Sequence, residues 1–264
     1  NYNPDATLFK GAANNIWIDV LFKATPAPGS DSVPTENLRV DLRPDRDMTL
    51  NVEVYNPNGS IPFIVTPGGM GDIEGFGAFA KNLAAASSDL KVIIMDRRNL
   101  GRSEVSFANA EPMAGEEAED LHVLLQRLDI DSAIFYGMSS GSRSNMVLAE
   151  RYPEQVDALI IAPLTGGPIA AQRLSEEYFL SYLRDDSLTS MEAVAQTPLW
   201  KGYMERNSPE LQKIFMEQNI DDFLATMKMT GEFLASFHAK TTLGMTDEQL
   251  MSLEVPATLI LHHG

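Results

Sequence analysis

The sequence predicts an α/β protein: a mostly parallel sheet with helices on both faces, interrupted by an all-helical insertion. Three observations carry that expectation. Short, nearly continuous apolar runs recur at IPFIVT (61–66), LKVIIMD (90–96), SAIFYG (132–137), VDALIIA (156–162) and PATLILHH (256–263), as strands buried on both faces of a parallel sheet require. Helical stretches separate the first four runs, so right-handed crossovers set helices on the sheet's faces. From Gly167 to Leu253 no such strand occurs, and the patterning is helical.

Taken in order, residues 1–36 are an N-terminal extension of no assigned role, ending in the Pro-, Gly- and Ser-rich stretch KATPAPGSDSVPTE (23–36). LRVDLRP (38–44) and TLNVEVY (49–55) alternate apolar and polar residues, which predicts a half-buried antiparallel hairpin, and NPNG (56–59) is a turn. In 115–128, Leu121, Leu124, Leu125 and Leu128 repeat at i, i+3, i+4 and i+7, with Glu116 and Glu117 placed favourably against the helix dipole. The insertion holds AAQRLSEEYFLSYL (170–183), SPELQKIFMEQ (208–218) and DDFLATMKMTGEFLASFHAK (221–240). We therefore expect a core of 37–166 and 255–264, with 167–254 as a helical cap over the strands' C-terminal ends, where open α/β sheets bind ligands.

The totals narrow the function. In 264 residues, 20 Lys and Arg oppose 37 Asp and Glu, a formal charge of −17. Such a surface repels nucleic acid and anionic membranes, so neither is an expected partner, and the carboxylate excess favours solubility. The chain has no cysteine, which excludes disulfides, thiolate nucleophiles and zinc–thiolate sites. No apolar run approaches the ~18 residues that span a bilayer. The chain begins with Asn1 and carries no signal-peptide pattern, so a processed or trimmed product is expected, in an unspecified compartment.

Chemistry concentrates in three segments. YGMSSGS (136–142) contains G-x-S-x-G centred on Ser139, between an apolar strand and a helix. A turn that tight strains the central residue, lifts the Ser139 oxygen clear of the sheet, and leaves the Ser140 N–H at a helix N-terminus where it can stabilise an oxyanion. Ser140, Ser142 and Ser144 are expected to be small packing or capping residues on the helix, with Ser140 contributing only its backbone amide to the chemistry. VTPGGMGD (65–72) follows an earlier strand, and its glycines let the backbone approach a ligand, with Gly69 or Met70 as the second oxyanion donor. DRRNLGRSE (96–104) follows the next strand, and its Asn99 and Gly101 suit a turn needing positive φ.

In this order the segments resemble the α/β-hydrolase superfamily, whose members carry H-G-G-x-G, D-x-R-G-x-G-x-S and G-x-S-x-G after successive strands. ERYPEQVDALIIAP (150–163) also resembles the stretch after the serine turn in capped members. Pro67 stands where the family usually has His, and Asn99 where it usually has Gly. Proline at the first position is similar to zearalenone-lactonase-like members, which share an SSG turn, so lactones stay among the substrates.

The resemblance implies a triad in the order Ser, acid, His, with the acid after PATLILHHG and the His some tens of residues later. None of His122, His238, His262 and His263 matches that position, and Pro163, Leu164 and Thr165 supply no carboxylate at the alternative acid site. The acid and base are accordingly expected beyond Gly264, with the C-terminal part of the fold missing and the 264-residue chain itself inactive. The implied function is a serine hydrolase of small, largely apolar esters, lactones or carbon–carbon substrates, working through an acyl-enzyme on Ser139. Its partner is a small-molecule substrate, and it needs no metal or organic cofactor. The alternatives are a prolyl-type aminopeptidase, with Glu176 and Glu177 available to a substrate amine, and a non-catalytic ligand-binding relative.

Overall fold

The structure, a computed structural model, describes residues 27–69, 71–106, 113–162, 168–235, 245–255 and 258–260. The alternating residues pair as the pattern requires. Strands β1 (Thr35–Asp41) and β2 (Thr49–Tyr55) form an antiparallel hairpin with Thr35 opposite Tyr55 and Asp41 opposite Thr49. β1 therefore starts two residues inside the stretch assigned to the extension.

The continuous apolar runs form β3 (Ile61–Thr66), β4 (Leu90–Met95), β5 (Ala133–Gly137), β6 (Val156–Ile161) and β7 (Thr258–Ile260). Among the described residues the seven strands lie in one sheet, ordered β1-β2-β4-β3-β5-β6-β7. β2 meets β4 antiparallel, and every pairing from β4 to β7 is parallel. The order reverses around β3, so the loops leaving β3 and β5 open side by side at the switch point, where such sheets bind ligands.

Both faces of the sheet are covered. Ile64, Ile93 and Met95 join Leu121, Leu124, Leu125 and Leu148 in one core, beneath α2 (Met113–Arg127) and α3 (Ser140–Arg151). Their neighbours Phe63, Val65, Val92 and Ile94 turn to the other face and pack with Ile73, Phe76, Ala80 and Ala84 of α1 (Ile73–Ala86). Alternation of side chains along each strand accounts for the two cores.

Between β6 and β7 the described residues form no strand. They form α4 (Pro168–Leu174), α5 (Met191–Ala195), α6 (Pro198–Arg206), α7 (Pro209–Met216), α8 (Ile220–Ala235) and α9 (Asp247–Met251). The helix expected over 170–183 is broken instead. It passes into a π turn at Ser175–Phe179 and a 3₁₀ turn at Leu180–Arg184. A close approach to α8 explains the break: the Ser175 hydroxyl donates to the Gly231 carbonyl at 2.7 Å, and a Cβ at Gly231 would fall 2.7 Å from Leu180. Tyr182, Trp200, Tyr203, Phe215 and Phe223 form the centre of this layer, and Leu100 from the β4 loop packs against it. The layer formed by the helices before α9 thus rests on the C-terminal edge of the sheet, whereas Met245, Leu250 and Leu253 pack into the core under α2 and α3.

Candidate active site

Ser139 sits between β5 and α3 with φ 51° and ψ −111°, a conformation that L-residues rarely adopt. Its neighbours explain how the strain is imposed. A Cβ at Gly141 would lie 2.3 Å from the Thr66 carbonyl oxygen, and one at Gly137 would lie 2.6 Å from the Ser142 Cα, so only glycine lets α3 start here. The turn is braced from both adjacent strands, because the Met138 N–H donates to Thr66 (3.2 Å) and the Ser139 N–H to Ala162 (3.2 Å). The Ser142 hydroxyl, fully buried, donates to the Gly137 carbonyl at 2.6 Å, the packing role expected of it. Ser139 itself is only half-buried. Ser140 opens α3, and its amide is one of the first N–H groups of a helix, which have no intrahelical acceptor.

The loop after β3 comes up against this turn. The Gly69 N–H donates to the Ser140 hydroxyl at 2.7 Å. Ser140 was expected to offer a backbone amide alone; its side chain also holds the facing loop. Gly69 has φ 54°, as do Asn99 (65°) and Gly101 (55°) in the same left-handed region, the last two as the sequence suggests. Met70, the other candidate donor, lies outside the described residues.

Behind the loop are two buried carboxylates. Asp96 accepts from the Ile73 N–H (2.6 Å), the Arg102 N–H (2.8 Å) and the Asn51 amide (2.8 Å), which ties β2, β4 and α1 together. Burial raises its pKa, against the pull of those donors. Asp72 caps α1 by accepting from the Gly75 N–H at 2.9 Å. Burial, with help from Asp96 and Glu74, raises Asp72 to about 6.

A buried network of charge is the feature that sequence reading missed. Arg97 pairs with Glu117 at 2.7 Å, and Arg98 holds Asp120 through two bonds of 2.6 and 2.7 Å. Arg46 reaches Asp120 at 2.9 Å and also Glu116. Glu116 lies in the first turn of α2, as its placement against the helix dipole requires, and both glutamates are in addition buried counterions, Glu116 of Arg46 and Arg98 and Glu117 of Arg97. Adjacent arginines in DRRN and the spacing E-E-x-x-D were the only hint. Nothing in either segment indicates that the fold brings them together.

Of the histidines, His122 lies on α2 with Nδ1 2.8 Å from the Gln155 Oε1 and its ring stacked on Tyr152 at 3.7 Å. That is the far end of α3, about 20 Å from Ser139 by helix rise. His238, His262 and His263 lie outside the described residues, as do Pro163, Leu164 and Thr165. Glu176 is paired with Arg184 (2.5 Å) and Glu177 with Arg173 (3.9 Å). Among the described residues no group of three His, Cys, Asp or Glu side chains could hold a metal. No helix among them is long and apolar enough to cross a membrane.

A mostly parallel sheet with a strained serine turn at its switch point defines a hydrolase-type α/β architecture. Residues 61–211, more than half of the chain, match the alpha/beta hydrolase fold family, and the protein belongs to that family. It is similar to the mouse sn-1-specific diacylglycerol lipase ABHD11, 26% identical over 165 residues, covering 61% of this chain and 48% of the relative. It is also similar to the esterase YbfF of Escherichia coli K12, 29% identical over 123 residues, covering 44% and 46%. The chain thus spans about half the length of these curated relatives. Among solved structures, a 2-hydroxy-6-oxo-6-phenylhexa-2,4-dienoate hydrolase from Rhodococcus sp. strain RHA1 superposes with a TM-score of 0.53 at 19% identity, over 87% of this chain and 81% of that one. At that identity the likeness is one of fold.

Proposed function

We propose that this protein is a serine hydrolase that cleaves a small, largely apolar ester, lactone or carbon–carbon substrate through an acyl-enzyme on Ser139. The observation that carries this reading is the Ser139 turn, with φ 51° and a half-buried side chain at the sheet's switch point. The hydroxyl attacks the substrate carbonyl; the Ser140 N–H and an amide of the Gly69–Met70 segment receive the developing oxyanion. Residues 167–254 act as the cap, and their apolar side chains form the substrate pocket. The base and acid that activate Ser139 are not assigned among the described residues, and His122 is too far to serve. Relatives named as an esterase and a diacylglycerol lipase support an ester substrate. Glu176 and Glu177 sit on an exposed face paired with Arg184 and Arg173, so no observation favours the aminopeptidase alternative.

The test is fluorophosphonate labelling of the full-length protein beside Ser139→Ala. The wild type should label and the variant should not, with hydrolysis of p-nitrophenyl butyrate falling at least ~10³-fold. Undiminished labelling of Ser139→Ala would remove Ser139 from the mechanism. A wild type that binds an apolar ester without labelling would favour the ligand-binding relative.

A further inference from the structure

We propose that Arg97 is a positioning residue that sets the oxyanion loop against the nucleophile helix, an inference that rests on the role given to Ser139. The contacts form a closed circuit. Arg97 Nη2 donates to the Gly69 carbonyl, and its Nη1 pairs with the Glu117 Oε1 at 2.7 Å. The Glu117 Oε2 accepts from the Ser144 hydroxyl of α3 at 2.5 Å, and that hydroxyl lies 3.2 Å from the Ser140 carbonyl oxygen. Ser140 in turn accepts from the Gly69 N–H at 2.7 Å, which brings the circuit back to its start.

Both polar ends of Gly69 are therefore held, one by the nucleophile helix and one by Arg97. Packing does not hold this residue: Gly69 is exposed, and a Cβ built on it would meet nothing within 4 Å. Its orientation is set by those two hydrogen bonds together with the turn that the Gly71 N–H closes on the Gly68 carbonyl at 2.8 Å. Gly69 belongs to the loop that the proposed function credits with an oxyanion donor, so holding Gly69 holds that loop against the serine turn.

The chemistry of the pair favours positioning over stabilisation. The side chains of Arg97 and Glu117 are 3% and 4% exposed. A buried ion pair of this kind adds little stability over an apolar pair of the same volume. What an apolar pair cannot supply is the guanidinium fork, which addresses a carboxylate and a carbonyl on two different segments at once.

Two variants of the full-length protein test this. Arg97→Lys keeps the charge beside Glu117 but ends in a single ammonium, without the fork. Its kcat on p-nitrophenyl butyrate should fall about 10–100-fold while KM stays within about threefold, because the interaction acts on the transition state. Labelling of Ser139 by fluorophosphonate should slow by a similar factor. The double variant Arg97→Met with Glu117→Met removes both members of the pair, and with them the carboxylate that faces Arg143. It should remain folded by circular dichroism yet show the same loss of kcat and labelling rate. Wild-type kcat in either variant, or a loss confined to KM, overturns the proposal. So does a loss of activity that only follows a loss of folded protein in both. Failure of the Ser139 assignment is distinguishable, since it shows in the Ser139→Ala comparison before Arg97 is altered, and it overturns this inference as well.

Discussion

The turn that carries Ser139 and the helical layer above the β4 loop are held together in opposite ways. Around Ser139, main-chain atoms meet with no space between them: a Cβ at Gly68 would lie 2.3 Å from the Met138 carbonyl oxygen and one at Gly141 the same distance from that of Thr66. In the helical layer, large rings fill the space. Trp200 contacts Phe215, Tyr203 and Phe223 with centroids 4.6, 5.6 and 5.7 Å apart. The first region tolerates no added atom, whereas the second tolerates no lost one. The proposed serine site would gain from backbone contacts, which have few alternative arrangements, whereas the helical layer depends on how well its rings fill space.

Four changes probe that contrast. The largest effect is expected from Trp200→Ala, which empties the centre of the aromatic cluster and should cost about 3–5 kcal/mol in urea denaturation. A cost below about 1 kcal/mol would mean that the rings are not what holds the layer.

Next comes Asp72, at the seam between the regions, where Arg206 of α6 opposes its raised pKa. Its carboxyl moves from 3.8 to about 6 on folding, so the folded protein holds the proton more tightly than the unfolded chain. That stability is present in full below about pH 4 and is lost as pH rises through about 6. Asp72→Asn keeps a capping oxygen for Gly75 and should be more stable than wild type by up to about 3 kcal/mol at pH 7.5, and no more stable at pH 4. Equal stabilities at both pH values would show that the carboxyl ionises freely.

Gly141→Ala should cost about 1–3 kcal/mol, since the Thr66 and Pro67 carbonyls must yield, and should slow labelling of Ser139. Unchanged labelling would show that the turn is softer than its contacts suggest. The smallest effect belongs to Glu210→Gln. Its ion pair with Arg102 (3.0 Å) is largely exposed and Arg102 keeps Glu74 at 3.5 Å, so less than about 0.5 kcal/mol is expected by thermal melting.

Much of the architecture was legible because it rests on local patterns. The five apolar runs became strands β3 to β7, the alternating segments became the hairpin, and Leu121, Leu124 and Leu125 mark the buried face of α2. The serine turn was legible for the same reason, because glycine at 137 and 141 is a local requirement for a strained residue between them. Less could be read in 170–183, where helical periodicity continues through Ser175 but contact with Gly231 breaks the helix. The pairing of Gly69 with the Ser140 side chain was equally hidden, since it joins residues 71 positions apart.

Periodicity, turn chemistry and glycine placement therefore determined the strands, their surroundings and Ser139, since each depends on residues within a few positions of one another. The partners of that serine's neighbours came only from folding. Arg97, Glu117 and Ser144 look unremarkable where they stand in the chain, as two exposed-type charges and a helix serine. They meet because β4, α2 and α3 pack together, and burial then obliges each charge and each hydroxyl to find a partner, which no local pattern specifies.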